Sequence, residues 1–243
     1  MKAVIQALLR PFGLRLIRLQ NIPKPQFGEG VLLSTLKRFG FSPKHILDIG
    51  ANHGNWTRSA VQFFPEAQYT LVEPQDHLKV HVQDLIAVGV NLRWISAGIA
   101  DRSGTLPFHV SRRDDSSTFA PHVGSVFSGT ALLEVKSIDD LLQTSQLSVP
   151  DLVKIDAEGM DLKVLQGATR ILGITDVFLV EASVISPIEN SALRVMEFMD
   201  EKGYRLIDIT EMNRSPRDGV LWLTELAFLR KSSRLLDGAN SYE

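Results

Sequence analysis

The chain contains no cysteine. Disulfide bonds and catalysis by a thiolate are therefore excluded, although the absence of cysteine alone does not identify a cellular compartment. The chain also has no proline-rich or serine-rich stretch that would mark a linker, and no apolar run long enough to cross a bilayer. We therefore expect one folded domain and no transmembrane segment.

An excess of charge of one sign is also missing. The 243 residues carry a formal net charge of −2, and acidic and basic residues are interspersed along the chain. Proteins that bind nucleic acid usually present a broad basic surface. We therefore do not expect nucleic acid as a partner.

Residues 1–27 form a segment in which apolar residues alternate with arginines. One interpretation is a terminal helix, interrupted at Pro11, that packs on the domain; the other is an amphipathic helix that contacts a membrane surface through residues 1–19. We favour packing, because most amphipathic helices face a protein core. A signal peptide is disfavoured, because the arginines fall within and after the apolar stretch and no small-residue cleavage site follows. We therefore expect a cytoplasmic protein.

The most informative stretch is an apolar run that ends in an acid and two glycines, over residues 46–54. The apolar residues around Asp48 predict a buried parallel strand, and Gly50 and Gly54 predict a sharp turn before a helix. Dinucleotide-binding turns have the spacing G-x-G-x-x-G, but Asn52 stands where the second glycine would be, so a pyrophosphate fits poorly. Asp48 would instead suit a ligand with an ammonium group, such as the methionine part of S-adenosylmethionine.

A second acid, Glu73, closes the next apolar strand, which we predict over residues 69–72. A carboxylate at that place can accept hydrogen bonds from both hydroxyls of a ribose. NAD pockets use the same arrangement, so an NAD-dependent oxidoreductase remains an alternative to an enzyme that uses S-adenosylmethionine. A third interpretation is an ordinary strand–turn–helix unit in which Asp48 only caps the helix.

The order of predicted elements indicates the fold class. Strands and helices alternate, which predicts an α/β fold with a parallel sheet covered by helices on both faces. One helix is predicted from Leu78 to Ile86. Residues 101–150 break the alternation with an inserted hairpin, which contains a short strand predicted over residues 106–110, and a polar loop; Ser137 then predicts the cap of a helix. The last two strands, near residues 204–209 and 224–229, are joined without a helix and should be antiparallel. We predict a Rossmann-like, mostly parallel seven-stranded sheet with an antiparallel last strand, which is the architecture of class I methyltransferases.

Acids at strand ends are the candidates for chemistry, because ligands of open α/β sheets bind outside the carboxyl ends of the strands. Asp156 and Glu158 are our candidates for taking the proton from a hydroxyl nucleophile. An alternative is a divalent metal ion held by Asp156 and Glu181, but these carboxylates alone do not supply the full oxygen shell of a hard cation, so we expect no metal. Asp156 could also be only a helix cap.

A polar run in the inserted region is well placed to bind a hydroxyl-rich substrate, although it also suits a solvated loop. The residues that we predict to contact the substrate are Ser116, Ser117 and Thr118.

With these residues identified, the chain resembles the FkbM-type methyltransferases, a family of S-adenosylmethionine-dependent enzymes that methylate hydroxyl groups. The resemblance spans residues 46 to about 231. Its marks are the turn after Asp48, Val72-Glu73-Pro74, Ser116-Ser117-Thr118 and, above all, Lys154-Ile155-Asp156-Ala157-Glu158-Gly159 followed by Val164-Leu165-Gln166-Gly167-Ala168. Dehydrogenases have no counterpart of the last block.

The resemblance implies a class I methyltransferase domain, which we place over residues 28–243, and O-methylation as the reaction. The residues that it implies for the donor, S-adenosylmethionine, are Asp48, Gly50, Ala51, Asn52, Gly54, Glu73 and Pro74. The implied acceptors are small molecules or glycans: sugars, polysaccharides, glycolipids and polyketide-like natural products. A donor-binding protein without catalysis remains a further alternative, and the sequence leaves the acceptor and the oligomeric state open.

Overall fold

A computed structural model of the chain describes residues 27–112, 117–120, 127–185 and 190–239. Several residues singled out above lie outside the described residues. They are the N-terminal segment up to residue 26, Ser116, and the neighbouring polar residues 113–115. The predictions made for them stay predictions.

Helices and strands alternate along the first part of the chain, as predicted. They are α1 (Glu29–Arg38), β1 (His45–Ile49), α2 (Asn55–Phe63), β2 (Gln68–Val72), a 3₁₀ helix (Asp76–Val82), α3 (Gln83–Ala87) and β3 (Leu92–Ile95). An inserted region then contributes β4 (Gly98–Ile99), β5 (Gly104–Val110) and β6 (Gly129–Lys136). The remaining elements are α4 (Ile138–Ser145), β7 (Leu152–Ile155), α5 (Asp161–Gln166), β8 (Val177–Ser183), α6 (Ala192–Glu201), β9 (Tyr204–Arg214) and β10 (Leu221–Arg230).

The main sheet has seven strands in the order β3-β2-β1-β7-β8-β10-β9. The strands from β3 to β8 pair in parallel, whereas β10 pairs antiparallel with both β8 and β9. The final strand of the chain therefore lies between β8 and β9 and runs against them. This arrangement confirms the predicted fold class.

Helices cover both faces of this sheet, which is why β1 and β7 are buried along their whole length. On one face, Leu47, Ile155 and Phe178 pack with the helices α4, α5 and α6. On the other face, Ile46 and Leu179 pack with α1, α2 and α3. The two cores fix the strand ends, and with them the position of the site described below.

The inserted region forms a second sheet of three strands, in the order β4-β6-β5. β5 and β6 pair antiparallel and form a hairpin within this region. Only the first of these two strands has a recognisable sequence pattern, because β6 is largely exposed, with Leu132 73% exposed. The pairing of the short strand β4 with β6 ties the insertion to the end of β3.

Of two predictions about helices, the cap at Ser137 is confirmed and the single helix from Leu78 to Ile86 is wrong. The predicted cap at Ser137 is present, since its Oγ accepts a hydrogen bond of 3.0 Å from the N–H of Asp140. The single helix expected from Leu78 to Ile86 is instead a 3₁₀ helix followed by the short α3, in keeping with the low helix propensity of its valines and histidines. Within the described residues, no helix is long and apolar enough to span a membrane.

Candidate functional site

A cavity of about 400 Å³ lies at the carboxyl ends of β1, β2, β7 and β8. This is the edge of an open α/β sheet at which ligands bind. One half of the wall comes from the turns after β1 and β2. The other half comes from the loop after β7, the ends of β8, β9 and β10, and the inserted sheet.

The turn after β1 depends on backbone conformations that favour glycine. Gly50, Asn52 and Gly54 all have φ in the left-handed region, at 75°, 47° and 73°. A Cβ atom on Gly50 would lie 1.7 Å from the carbonyl oxygen of Asp156. The missing side chain at Gly50 therefore lets the ends of β1 and β7 meet.

Glu73 is held rigidly at the end of β2. Its Oε2 accepts a hydrogen bond of 3.1 Å from the N–H of Asn52, and its Oε1 accepts one of 3.0 Å from the N–H of Gln75. The side chain is 4% exposed, and burial raises the pKa of its carboxyl although the two N–H groups oppose that shift. Four of the residues predicted to bind the donor meet on this wall: Gly50, Asn52, Glu73 and Pro74.

Asp48 does not lie on the cavity wall, contrary to the expectation that it meets the ammonium group of a ligand. Its side chain is fully buried toward α2, where its Oδ2 accepts a hydrogen bond of 2.5 Å from the hydroxyl of Thr57. Its Oδ1 has no partner among the described residues, and burial raises the pKa of the carboxyl. The reason is the alternation of side chains along β1, which places Asp48 on the same face as Ile46, the face covered by α1, α2 and α3. Two further predicted donor residues, Ala51 and Gly54, also lie off the wall.

Lys154 and Asp156, at the end of β7, form an ion pair. Nζ of Lys154 lies 2.7 Å from Oδ2 of Asp156, and the lysine side chain is 7% exposed. Burial alone would lower the pKa of Lys154, but the charges of Asp156 and Asp48 outweigh it and raise the pKa above its ordinary value. The lysine therefore stays charged and holds the carboxylate of Asp156 against the end of the strand.

The loop after Asp156 is held from two sides. On one side, the carboxylate of Asp161 accepts hydrogen bonds from the N–H groups of Ala157, at 2.7 Å, and Gly159, at 3.2 Å. On the other side, the hydroxyl of Thr118 donates a hydrogen bond of 2.7 Å to the carbonyl oxygen of Glu158. Glu158 has φ of 49°, a conformation that costs energy for a residue other than glycine. The predicted proton acceptors Asp156 and Glu158 thus lie together on the wall.

The hydroxyls of Ser117 and Thr118 also bond within the protein. Oγ of Ser117 accepts a hydrogen bond from the N–H of Ser111, and Oγ1 of Thr118 accepts one from the N–H of Ala120. Both residues lie on the cavity wall. These two bonds lie within the inserted region, which the bond from Thr118 to Glu158 docks onto the loop after β7. Contact with a substrate stays a prediction for both residues.

Sequence reasoning missed the part of the wall that β9 and β10 supply. Glu211, Asn213 and Trp222 line the cavity there. They escaped notice because the last two strands were predicted to be short, whereas they extend to Arg214 and begin again at Leu221. The β-prone run at residues 221–224 was the available signal for the longer hairpin. The inserted region adds further missed residues, namely Gly98 on β4, Phe108 on β5, and Phe119 in the loop between β5 and β6.

The described wall is acidic. It carries five carboxylate side chains and no lysine or arginine; the acids are Glu73, Asp156, Glu158, Glu181 and Glu211. Such a wall favours ligands that carry positive charge and disfavours anionic ones. Among the described residues, no group of three or more histidine, cysteine or acidic side chains is arranged to hold a metal ion.

Comparisons with known proteins place these residues in a family context. A model of the methyltransferase FkbM domain matches residues 48–206. The 2-O-methyltransferase NoeI of Sinorhizobium fredii (strain NBRC 101917 / NGR234) is 27% identical over 152 residues, which are 57% of this chain and 63% of that protein. The match therefore spans less than two thirds of that relative's length.

A solved structure shows a similar fold. The cofactor-bound structure of Rv0187 from MTB aligns with a TM-score of 0.51 and 19% identity, over 95% of this chain and 90% of that chain. At this identity the likeness concerns the fold alone.

Proposed function

The chain belongs to the FkbM family of methyltransferases, and from this premise we propose that it transfers a methyl group from S-adenosylmethionine to a hydroxyl group. The proposed acceptor is a sugar, a glycan or a related polyhydroxylated compound. The observation that carries the proposal is that two features meet in one cavity: the buried carboxylate of Glu73 at the end of β2, and a carboxylate-lined wall at the ends of β7 and β8.

The residues of the first half suit the adenosine part of the donor. A carboxylate offers about four acceptor positions, and the backbone N–H groups of Asn52 and Gln75 occupy one on each oxygen of Glu73. A third contact, 3.3 Å from Nε2 of Gln75, is long enough for a ribose hydroxyl to replace it. Glu73 is thus fixed in place and still able to accept hydrogen bonds from the ribose.

The acidic wall suits the charge of the donor. When bound, the donor supplies a methyl group on a positively charged sulfonium, which is already electrophilic. Carboxylates around the cavity stabilise positive charge within it, and Glu73 and Asp156 belong to this set. The same carboxylates would repel an anionic dinucleotide such as NAD. The charge of the wall therefore favours the methyl donor over NAD.

The second half of the cavity suits an acceptor with several hydroxyls. Asp156 and Glu158 present carboxylates on a loop that Asp161 and Thr118 hold in place. We assign to these two acids the orientation of the acceptor, because alignment of the reacting atoms contributes roughly 7–11 kcal/mol to such reactions. The name of the relative NoeI, a 2-O-methyltransferase, supports a hydroxyl group as the acceptor.

Calorimetric titration of the purified chain with S-adenosylhomocysteine, with NAD as the parallel ligand, tests the donor. We expect S-adenosylhomocysteine to bind and NAD not to bind. Incubation with isotope-labelled S-adenosylmethionine and a panel of methyl glycosides of hexoses and 6-deoxyhexoses then tests the acceptor class. Binding of NAD alone would replace this proposal with an oxidoreductase, and methylation of amines but not hydroxyls would correct the acceptor group.

A further inference from the structure

We propose that Glu181, at the carboxyl end of β8, is the catalytic residue that accepts the proton of the acceptor hydroxyl. This inference rests on the proposed function and identifies the base within that site. It replaces Asp156 and Glu158 in the role that the sequence suggested for them.

The position of Glu181 suits a base. The residue lies on the cavity wall together with Asp156 and Glu158. Its register partner on β10 is Glu225, and β8 places Glu181 two residues beyond Leu179, the register partner of Lys154. Glu181 and Lys154 therefore project from the same face of the sheet. The carboxylate of Glu181 is thus brought to the cavity by the sheet itself and not by a loop.

The bonding of Glu181 differs from that of its neighbours. Within the part of the chain that the structure describes, no hydrogen bond or ion pair engages its carboxylate. Asp156, in contrast, accepts a hydrogen bond from the buried ammonium group of Lys154 at 2.7 Å. Protonation of Asp156 would weaken its ion pair with Lys154, which makes Asp156 the weaker base. The oxygens of Glu181 remain open to a substrate hydroxyl.

The charges that face Glu181 favour its protonated form. Its pKa lies well above the ordinary value, first because of burial and then because of the negative charges of three acids: Asp156, Asp161 and Glu158. Lys154 acts in the opposite direction but is paired with Asp156. On the remaining side, Glu225 and, beyond it, Glu211 add two further carboxyl groups in register. A base works best when its pKa is near the working pH, and these surroundings move Glu181 in that direction.

In the transfer step, the acceptor oxygen forms a bond to the methyl carbon as the carbon–sulfur bond breaks, and the electron pair of that bond stays on sulfur as a neutral thioether. The hydroxyl proton passes to the carboxylate of Glu181, which becomes a carboxylic acid and later releases the proton to water. Glu181 must therefore be ionised when the donor is bound and the acceptor arrives.

This requirement gives a test that needs no acceptor. S-adenosylmethionine and S-adenosylhomocysteine differ in the positive sulfonium, which favours an ionised carboxylate nearby. We expect the donor to release more protons on binding than the thioether does, by up to about one proton per chain near neutral pH. Calorimetry in buffers with different enthalpies of ionisation measures this difference. It should vanish in Glu181→Gln and persist in the matched variant Glu201→Gln, whose site is exposed on α6.

The second readout is transfer to the methyl glycoside panel. Glu181→Gln should lower the rate by about 10²–10⁴-fold and remove the limb of the pH–rate profile that rises toward neutral pH, while affinity for S-adenosylhomocysteine stays within a few fold. Asp156→Asn should lower the rate less and keep that limb. Equal proton release in Glu181→Gln and the unmodified chain would overturn the assignment, as would a transfer rate that requires added Mg²⁺ and is abolished by a chelator.

Failure of the proposed function has a different signature. In that case the unmodified chain would not bind S-adenosylhomocysteine, whatever the state of Glu181. Thermal melting of both glutamine variants, with unchanged midpoints expected, shows that a loss of proton release is not a loss of folding.

Discussion

The two halves of the cavity are built in different ways. In the half that we propose to bind the donor, the donor half, backbone groups fix the geometry: the turn after β1 has three residues in the left-handed region, and the carboxylate of Glu73 accepts hydrogen bonds from two backbone N–H groups. In the half that we propose to bind the acceptor, the acceptor half, side chains from the loop after β7, from β8, β9 and β10 and from the inserted region converge. One of them, Glu181, has no hydrogen-bonded partner among the described residues. The geometry of the donor half is therefore set by the backbone, whereas that of the acceptor half is set by side chains, several of them acidic.

Under the proposed function, this difference predicts different consequences for substitutions in the two halves. The turn after β1 tolerates few substitutions, because any side chain at Gly50 would collide with the backbone that follows β7. Side chains at strand ends can be exchanged without altering the sheet that carries them. We therefore expect substitutions in the donor half to affect folding and donor binding, and those in the acceptor half to affect transfer and its pH dependence.

Gly50→Ala should have the largest effect. The new Cβ would lie 1.7 Å from the carbonyl oxygen of Asp156, and the residue would also keep φ of 75°. We expect a loss of more than about 4 kcal/mol in the free energy of unfolding, or no folded protein. Gly40→Ala is the matched control, because Gly40 has φ of 90° but a methyl group added there would meet no described atom within 4 Å. Its cost should be about 1–2 kcal/mol.

Urea unfolding of the two alanine variants separates collision from conformational strain. A similar loss in both would show that the close approach of β1 and β7 does not constrain the turn. Backbone packing at Gly50 would then not set the geometry of the donor half.

Glu225→Gln should flatten the pH dependence of stability. Burial raises the pKa of Glu225 from an ordinary 4.5 to about 7, so the folded protein binds this proton more tightly than the unfolded chain does. Its contribution to stability is present below the unfolded pKa and is lost as the pH rises through the folded pKa. At 1.36 kcal/mol per pKa unit, the loss approaches about 3 kcal/mol.

Urea unfolding at a series of pH values between these two pKa values measures the slope. The unmodified chain should lose stability as the pH rises, and Glu225→Gln should lose less over the same interval. Identical slopes would mean that Glu225 is ionised in the folded protein and that the acceptor half tolerates its charges without cost.

Glu73→Gln tests the other half directly. An amide in place of the carboxylate brings an NH₂ group against one of the two backbone N–H donors, those of Asn52 and Gln75, and removes a charge that a ribose would meet. Hydrogen bonds to charged groups contribute about 1.5–3 kcal/mol, so affinity for S-adenosylhomocysteine should fall roughly 10- to 100-fold. Calorimetry measures it, with Glu201→Gln as the exposed control. Unchanged affinity would move the ribose away from Glu73.

The same difference between the halves decides how much the sequence could predict. The donor half is local in sequence: Gly50, Asn52 and Glu73 lie close to two consecutive strands whose apolar runs are clear. Spacing and residue type therefore sufficed to predict their meeting. Asp48 is the exception, because a strand covered by helices on both faces is apolar on both sides, so its sequence does not show toward which helices Asp48 points.

The acceptor half is non-local. Glu181, Glu211 and Trp222 belong to β8, β9 and β10, and only the antiparallel insertion of β10 between the other two strands brings them together. No spacing along the chain encodes that register. The ion pair of Lys154 with Asp156 joins residues two apart in sequence. Its strength depends on how deeply the lysine is buried, which the sequence does not show.

Thr118→Val should have the smallest effect and the most selective one. Valine matches threonine in shape but can neither donate to the carbonyl oxygen of Glu158 nor accept from the N–H of Ala120. Two lost hydrogen bonds should lower the free energy of unfolding by about 1–2 kcal/mol. Because the contact acts on the loop after β7 and not on the turns after β1 and β2, affinity for S-adenosylhomocysteine should not change, while transfer to the acceptor should slow.

Thr130→Val on β6 is the matched control, since the hydroxyl of the exposed Thr130 meets a ring nitrogen of His109 at 3.2 Å and makes no described hydrogen bond to the loop after β7. Thr130→Val should change neither the affinity for S-adenosylhomocysteine nor the rate of transfer measurably. Thr118→Val could instead weaken donor binding as much as transfer. The inserted region would then support both halves of the cavity, and the two halves would not be structurally independent.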